Sequence, residues 1–153
     1  MQAMRHKKIY SRLIHSITLF AFIIALSGCR VTLVPPYNEE LESQIVTTAK
    51  LTDKLYLSII DAAADNKAYA VYADKYLEIE AEINSILLKN EARPKNADFI
   101  VIIKNLQEHF KQYKNDHKAK KTLSDAELLI YNEELKAFWK PLLVAERALK
   151  IGQ

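Results

Sequence analysis

Four stretches of this 153-residue chain carry apolar side chains at alternating spacings of three and four, and that rhythm constrains the fold more than any other feature. Residues repeating on average every 3.5 positions stay on one face of an α-helix, whereas a half-buried strand needs a period of two. The first series is Leu41, Ile45, Thr48, Thr52, Leu55, Ile59 and Ala62, and the second is Tyr69, Tyr72, Tyr76, Ile79, Ile83, Ile86 and Asn90. Phe99, Ile103, Leu106, Phe110, Tyr113 and His117 form the third. The fourth runs Leu128, Tyr131, Leu135, Phe138, Leu142, Ala145 and Leu149. No segment sustains period two. Each series marks the buried seam of an amphipathic helix, and the helices so defined cover 38–64, 67–91, 97–117 and 125–150.

Local signals punctuate these segments. Asn38 is placed to cap the first helix, with Glu39 and Glu40 in its opening turn. Asp65-Asn66-Lys67 reads as a turn, and Arg93-Pro94 closes the second helix because proline disfavours helical geometry in the residue before it. Asn96 is expected to cap the third helix, and the polar stretch Lys114 to Thr122 to separate it from the fourth. Ser124-Asp125-Ala126-Glu127 is a capping box, flanked by Leu123 and Leu128 in hydrophobic-staple positions. Helices of about 25 residues, ~37 Å long, joined by short connections predict an all-α, antiparallel up-and-down four-helix bundle. A dimer of two-helix hairpins satisfies the same seams. Pro141, inside the fourth pattern, removes one backbone donor and predicts a kink or break there.

Only two glycines occur, Gly28 and Gly152. A chain so poor in glycine has no Gly-rich phosphate cradle, no dinucleotide fingerprint and no G-x-S-x-G nucleophile elbow.

The first residues have a different character. Arg5, Lys7, Lys8 and Arg12 precede the apolar stretch Ile17 to Leu26, whose ten residues are half of the ~20 that a bilayer-spanning helix needs. A basic start, a short apolar centre and small residues after it make a secretory leader. The motif that ends the leader, Leu26-Ser27-Gly28-Cys29, resembles the lipobox of bacterial lipoprotein precursors. The resemblance covers residues 1–29 and implies cleavage before Cys29, a diacylglycerol thioether on its sulfur and an acyl chain on its new amino group. Two or three acyl chains hold a protein stably at a membrane, where one does not. Cys29 is the sole cysteine, so the chain has no internal disulfide partner. Arg30 follows it, and in a two-membrane cell the family's sorting rule then implies the periplasmic face of the outer membrane. Beyond the anchor, the general plan is similar to that of small all-helical envelope lipoproteins.

Removing the leader changes the charge balance. The chain has 22 Lys+Arg against 19 Asp+Glu, and four of the basic residues lie in the leader, leaving 18 against 19. Basicity therefore gives no reason to expect nucleic acid as a partner. Residues 29–37 are expected to form a lipidated tether, its prolines Pro35 and Pro36 holding it extended over roughly 25 Å.

Candidate sites in the helical part are few. His109, Tyr113 and His117 share one face of the third helix, and a metal site there needs further ligands from another helix, which no motif supplies. His117 is placed to cap a helix end as an imidazolium. Tyr69, Tyr72 and Tyr76 are either a groove for a peptide or sugar or a core stripe, with Tyr56 across the seam. Lys114, Lys118, Lys120 and Lys121 form a basic connection that is either solvated or faces an acidic partner. In an up-and-down bundle it lies at the tip far from the tether. Trp139, the sole tryptophan, sits beside Pro141, at the lip of a groove if the proline opens one. Of the serines Ser43, Ser58, Ser85 and Ser124, the last is used as a cap, and no nucleophile with an activating base is apparent. The expectation is an envelope-anchored lipoprotein with a binding or structural role, no enzyme activity and no cofactor besides its acyl groups. A carrier of a small ligand or metal in a bundle groove is the alternative.

Overall fold

The computed structural model describes residues 34–151. The leader, Cys29 and the start of the tether lie outside the described residues. Helix α1 spans Glu39–Ile60, α2 Tyr69–Glu91, α3 Ala97–Lys120 and α4 Asp125–Ile151, with one 3₁₀ turn at Ala64–Asn66. Each helix packs on its sequence neighbours, and α4 packs on α1, closing a ring of four within one chain. The fold is an all-α four-helix bundle with no strand among the described residues. The alternative of paired hairpins is not needed, because α1 and α4 bury their seams against each other.

Three seams lie where the spacing put them. Leu41, Ile45, Thr48, Thr52, Leu55 and Ile59 are buried on α1, and Tyr72, Tyr76, Ile79, Ile83, Ile86 and Asn90 on α2. On α3 all six residues from Phe99 to His117 are buried. Thr48 and Thr52 enter the core without an orphaned hydroxyl, each donating at 2.8 Å to the carbonyl four residues back.

The fourth seam is shifted. Its inward residues are Leu128, Asn132, Leu135, Trp139, Leu142, Glu146 and Leu149, whereas Tyr131, Phe138 and Ala145 are only half-buried. Both sets alternate threes and fours, and polarity favoured the wrong one. Asn132 and Glu146 can face inward because each has a partner, Asn132 Nδ2 donating to Asp53 Oδ1 at 2.8 Å.

The helix ends depart from expectation in physically readable ways. Asn38 caps α1 as expected, its Oδ1 accepting from the Leu41 amide at 2.9 Å. That helix stops at Ile60, short of 64, and Lys67 Nζ donates to the freed Ile60 carbonyl at 3.0 Å. Asn96 does not cap α3. It is buried and its Nδ2 bonds back to the carbonyl and side chain of Asn90 at 2.9 and 2.6 Å, tying the end of α2 to the start of α3. Helix α2 has no side-chain cap; its first amide, Tyr69 N, instead donates to the Lys121 carbonyl at 2.8 Å. The capping box forms, with Ser124 N to Glu127 Oε2 at 2.9 Å and Glu127 N to Ser124 Oγ at 3.3 Å, and Leu123 and Leu128 are both buried.

The polar stretch after Tyr113 is mostly helix. Helix α3 continues to Lys120, leaving a connection of only 121–124. Lysine and alanine are good helix formers, and His117, Lys118 and Lys120 lie in the last turn, where positive charge suits the helix dipole.

Pro141 does not break α4, which runs unbroken across it. Pro141 and Ala137 are both exposed, so the backbone groups that proline disrupts lie on the water side. Pro141→Ala restores an internal hydrogen bond, and it is expected to stabilise the bundle by about 1–3 kcal/mol. A higher urea midpoint with an unchanged m-value is the measurement.

Candidate functional site

Buried polar clusters sit at the two ends of the bundle. At the end where α1 begins, Arg93 from the α2–α3 connection meets Glu146 of α4. Nη1 donates to Oε2 at 2.8 Å and Nη2 to Oε1 at 3.2 Å. The same Oε1 accepts from the Asn38 amide at 2.9 Å. Arg93 Nη1 also reaches Asn90 Oδ1 at 3.3 Å, and Nη2 reaches the Pro36 carbonyl at 2.5 Å. Its guanidinium lies 5.7 Å from the centre of the Phe99 ring. The Glu146 side chain is 0% exposed and that of Arg93 10%.

This clasp corrects the picture of a free tether. Pro35 is buried, and Tyr37 packs on the core while its hydroxyl donates to Glu42 Oε2 at 2.7 Å. That acceptor pushes the Tyr37 phenol up to about 12. Residues 35–38 are therefore part of the folded body.

Spacing alone hinted at the clasp. Glu146 follows Leu142 by four and precedes Leu149 by three, so it is in phase with the leucines. In the sequence Arg93 reads only as part of a helix stop signal, Arg93-Pro94. Removing one partner of such a buried pair leaves an unanswered charge: Glu146→Ala is expected to cost ~3–5 kcal/mol in urea unfolding, whereas Arg93→Met with Glu146→Leu should recover most of that loss.

At the opposite end, His117 is fully buried and is not an exposed cap. Its Nε2 lies 2.9 Å from the Lys67 carbonyl and its Nδ1 3.0 Å from the Tyr76 hydroxyl. A carbonyl only accepts, so Nε2 carries the proton and Nδ1 accepts from Tyr76. Neutral imidazole uses both nitrogens in this arrangement. Burial lowers its pKa below the ordinary 6.5, opposed by the Lys67 carbonyl. Tyr69 stacks on Tyr76 with ring centres 5.6 Å apart, Phe110 lies 5.8 Å from Tyr76, and Tyr56 meets it edge-on at 6.4 Å. Burial raises the phenols of Tyr56 and Tyr76. Tyr72 is 6% exposed and donates to the Ser58 carbonyl at 3.2 Å. The tyrosines Tyr69, Tyr72 and Tyr76 therefore form core and not a groove.

An unfolded imidazole titrates near 6.5 while the folded one titrates lower, so below that value the unfolded chain binds a proton that the folded chain does not. Stability is expected to fall as pH drops from about 6.5 to 5, and His117→Asn should flatten that slope in urea midpoints measured across the range.

The lysines part company. Lys114 pairs with Glu80 of α2, and Lys120 with Glu127 of α4 at 2.7 Å. Among the described residues Lys118 and Lys121 have no ion-pair partner, and both are exposed at the end away from Asn38. Trp139 is 4% exposed in the core, not at the lip of a groove. His109 is half-buried and contacts the Tyr113 hydroxyl through Nδ1 at 3.2 Å, away from His117. No group of three or more His, Cys, Asp or Glu side chains among the described residues is arranged to hold a metal ion. The α1–α2 face carries an open cleft of about 280 Å³ floored by Leu51, Leu55 and Ile79 and edged by Lys54, Lys75 and Glu78. Comparison with known proteins gives no match to a family model, to a curated protein or to a solved structure.

Proposed function

We propose that the chain is the precursor of a lipid-anchored bacterial envelope protein whose helical bundle serves attachment or binding and not catalysis. The observation that carries this reading is Leu26-Ser27-Gly28-Cys29 at the end of a basic, then apolar, leader. Signal peptidase cleaves before Cys29, whose sulfur carries diacylglycerol and whose amino group is acylated, and Arg30 directs the product to the outer membrane in a two-membrane cell. The helical body lends support to an attaching role. Its largest polar cluster, Arg93 with Glu146, grips the segment that leads toward the anchor, so a load on Pro36 and Asn38 passes into α2 and α4. Four residues separate Cys29 from Val34, five Cα steps and at most ~18 Å of chain. Lys118 and Lys121, at the other end, are the surface on which an acidic envelope partner would dock.

Cells fed labelled palmitate are expected to incorporate label into the wild-type polypeptide, which runs at its processed size. Cys29→Ser should abolish both label and processing. An unlabelled wild-type chain that keeps its leader contradicts the proposal.

A further inference from the structure

Tyr113 of α3 and Tyr131 of α4 lie face to face, with ring centres 4.0 Å apart and planes within 2° of parallel. The other stacked tyrosine pair, Tyr69 and Tyr76, is looser at 5.6 Å and 27°. Each hydroxyl of the close pair already points its proton at a carboxylate. Tyr113 donates to Glu134, and Tyr131 donates to Asp116 Oδ2 at 3.0 Å. His109 completes the shell of the Tyr113 oxygen through Nδ1 at 3.2 Å and lies tilted against Phe138, ring centres 4.8 Å apart. Burial and the neighbouring carboxylates raise both phenols above their ordinary value, so neither gives up a proton alone. A phenol hydrogen-bonded to a carboxylate can, however, lose an electron while its proton moves along the bond. Tyr113 is 4% exposed and Tyr131 is half-buried, which makes Tyr131 the point of entry and Tyr113 its partner within electron-exchange distance.

We propose that Tyr113 and Tyr131 form an oxidative modification site, at which a one-electron oxidant joins them into an intramolecular dityrosine that ties α3 to α4. Each ring gives one electron to the oxidant, and the two phenolic protons pass to Glu134 and Asp116. The two phenoxyl radicals couple through the carbons ortho to their oxygens. The ortho hydrogens then move to the oxygens and restore two phenols. The net loss is two electrons and two protons, which one peroxide molecule accepts in becoming two waters. The product serves a chain that has a single cysteine and so no internal disulfide. Like a disulfide, it shortens the free loop of the unfolded chain and stabilises the folded one.

The test uses the full chain, dilute, illuminated briefly with ruthenium tris-bipyridyl and persulfate, each persulfate taking two electrons to become two sulfates. Peptide mapping is expected to find one intramolecular cross-link joining the segments that hold Tyr113 and Tyr131, lighter by two hydrogens, with dityrosine fluorescence and a raised melting temperature. Tyr113→Phe and Tyr131→Phe, which keep an aromatic ring at each position, should lose that cross-link. Asp116→Asn with Glu134→Gln should slow its formation. Cross-links found only between molecules, or joining Tyr69 to Tyr76 in preference, overturn the proposal. So does formation at an unchanged rate in the Asn/Gln variant.

Discussion

A carboxylate with no exposure to water sits in line with the leucines of α4, and the rest of the bundle is arranged around answering it. Glu146 takes two hydrogen bonds from Arg93 and one from the Asn38 amide. Burying an ionised carboxylate unpaired is prohibitively costly, so these donors are a condition of the fold. They also come from two places, the α2–α3 connection and the start of α1, and so tie both to the end of α4. A seam of leucine and isoleucine tolerates a slip of one heptad at little cost in packing. The ion pair does not, because any slip faces Glu146 with hydrocarbon. Register along the bundle is thereby set at one end.

The other end is locked by neutral groups. His117 bridges the Lys67 carbonyl and the Tyr76 hydroxyl, and the Tyr69 amide takes the Lys121 carbonyl. Lys121 adopts φ 67° and Lys95 φ 57°, left-handed conformations that a lysine occupies at some cost. In Lys121 that cost is offset locally, since its turned carbonyl caps a helix that has no capping side chain. A chain with glycine only at 28 and 152 has to make its sharp reversals with such residues. Between these two ends the core is apolar and aromatic; Thr48 and Thr52 bond to backbone carbonyls of their own helix, and Asn132 to Asp53.

The fold was legible to the extent that burial follows hydrophobicity. On α1, α2 and α3 the buried positions follow the apolar rhythm, including polar Asn90 and His117, except that Tyr56 is buried outside it and Tyr69 and Ala62 are only half-buried. On α4 the rhythm admitted two phases one residue apart, and Asn132 and Glu146 hid the true one. What decided the phase was tertiary: Asp53 waits on α1 and Arg93 in the α2–α3 connection, and no local pattern reveals partners so distant in sequence. The same limit explains Asn96, which suits a cap and instead bonds to Asn90. Tyr69, Tyr72 and Tyr76 read from spacing as a core stripe with a groove as the alternative, and His117 and Phe110 packed against Tyr76 agree with the core. Lys114 and Lys120 looked like a basic loop because Glu80 and Glu127 approach them only after folding. For the anchoring role the situation is reversed: the motif at Cys29 is explicit in the sequence and lies outside the described residues.

The proposed envelope anchor and the four-helix bundle make mechanical sense together when the segment entering the bundle is held and not loose. The most direct test is hydrogen exchange at the Asn38 amide, which donates to Glu146 at the point where the chain enters the bundle. The clasp predicts protection approaching that of the core amides of α1, lost together with the global unfolding of the bundle. Exchange of Asn38 at the rate of an unstructured peptide, while the rest of α1 stays protected, would show that the segment swings free and that Glu146 does not hold it.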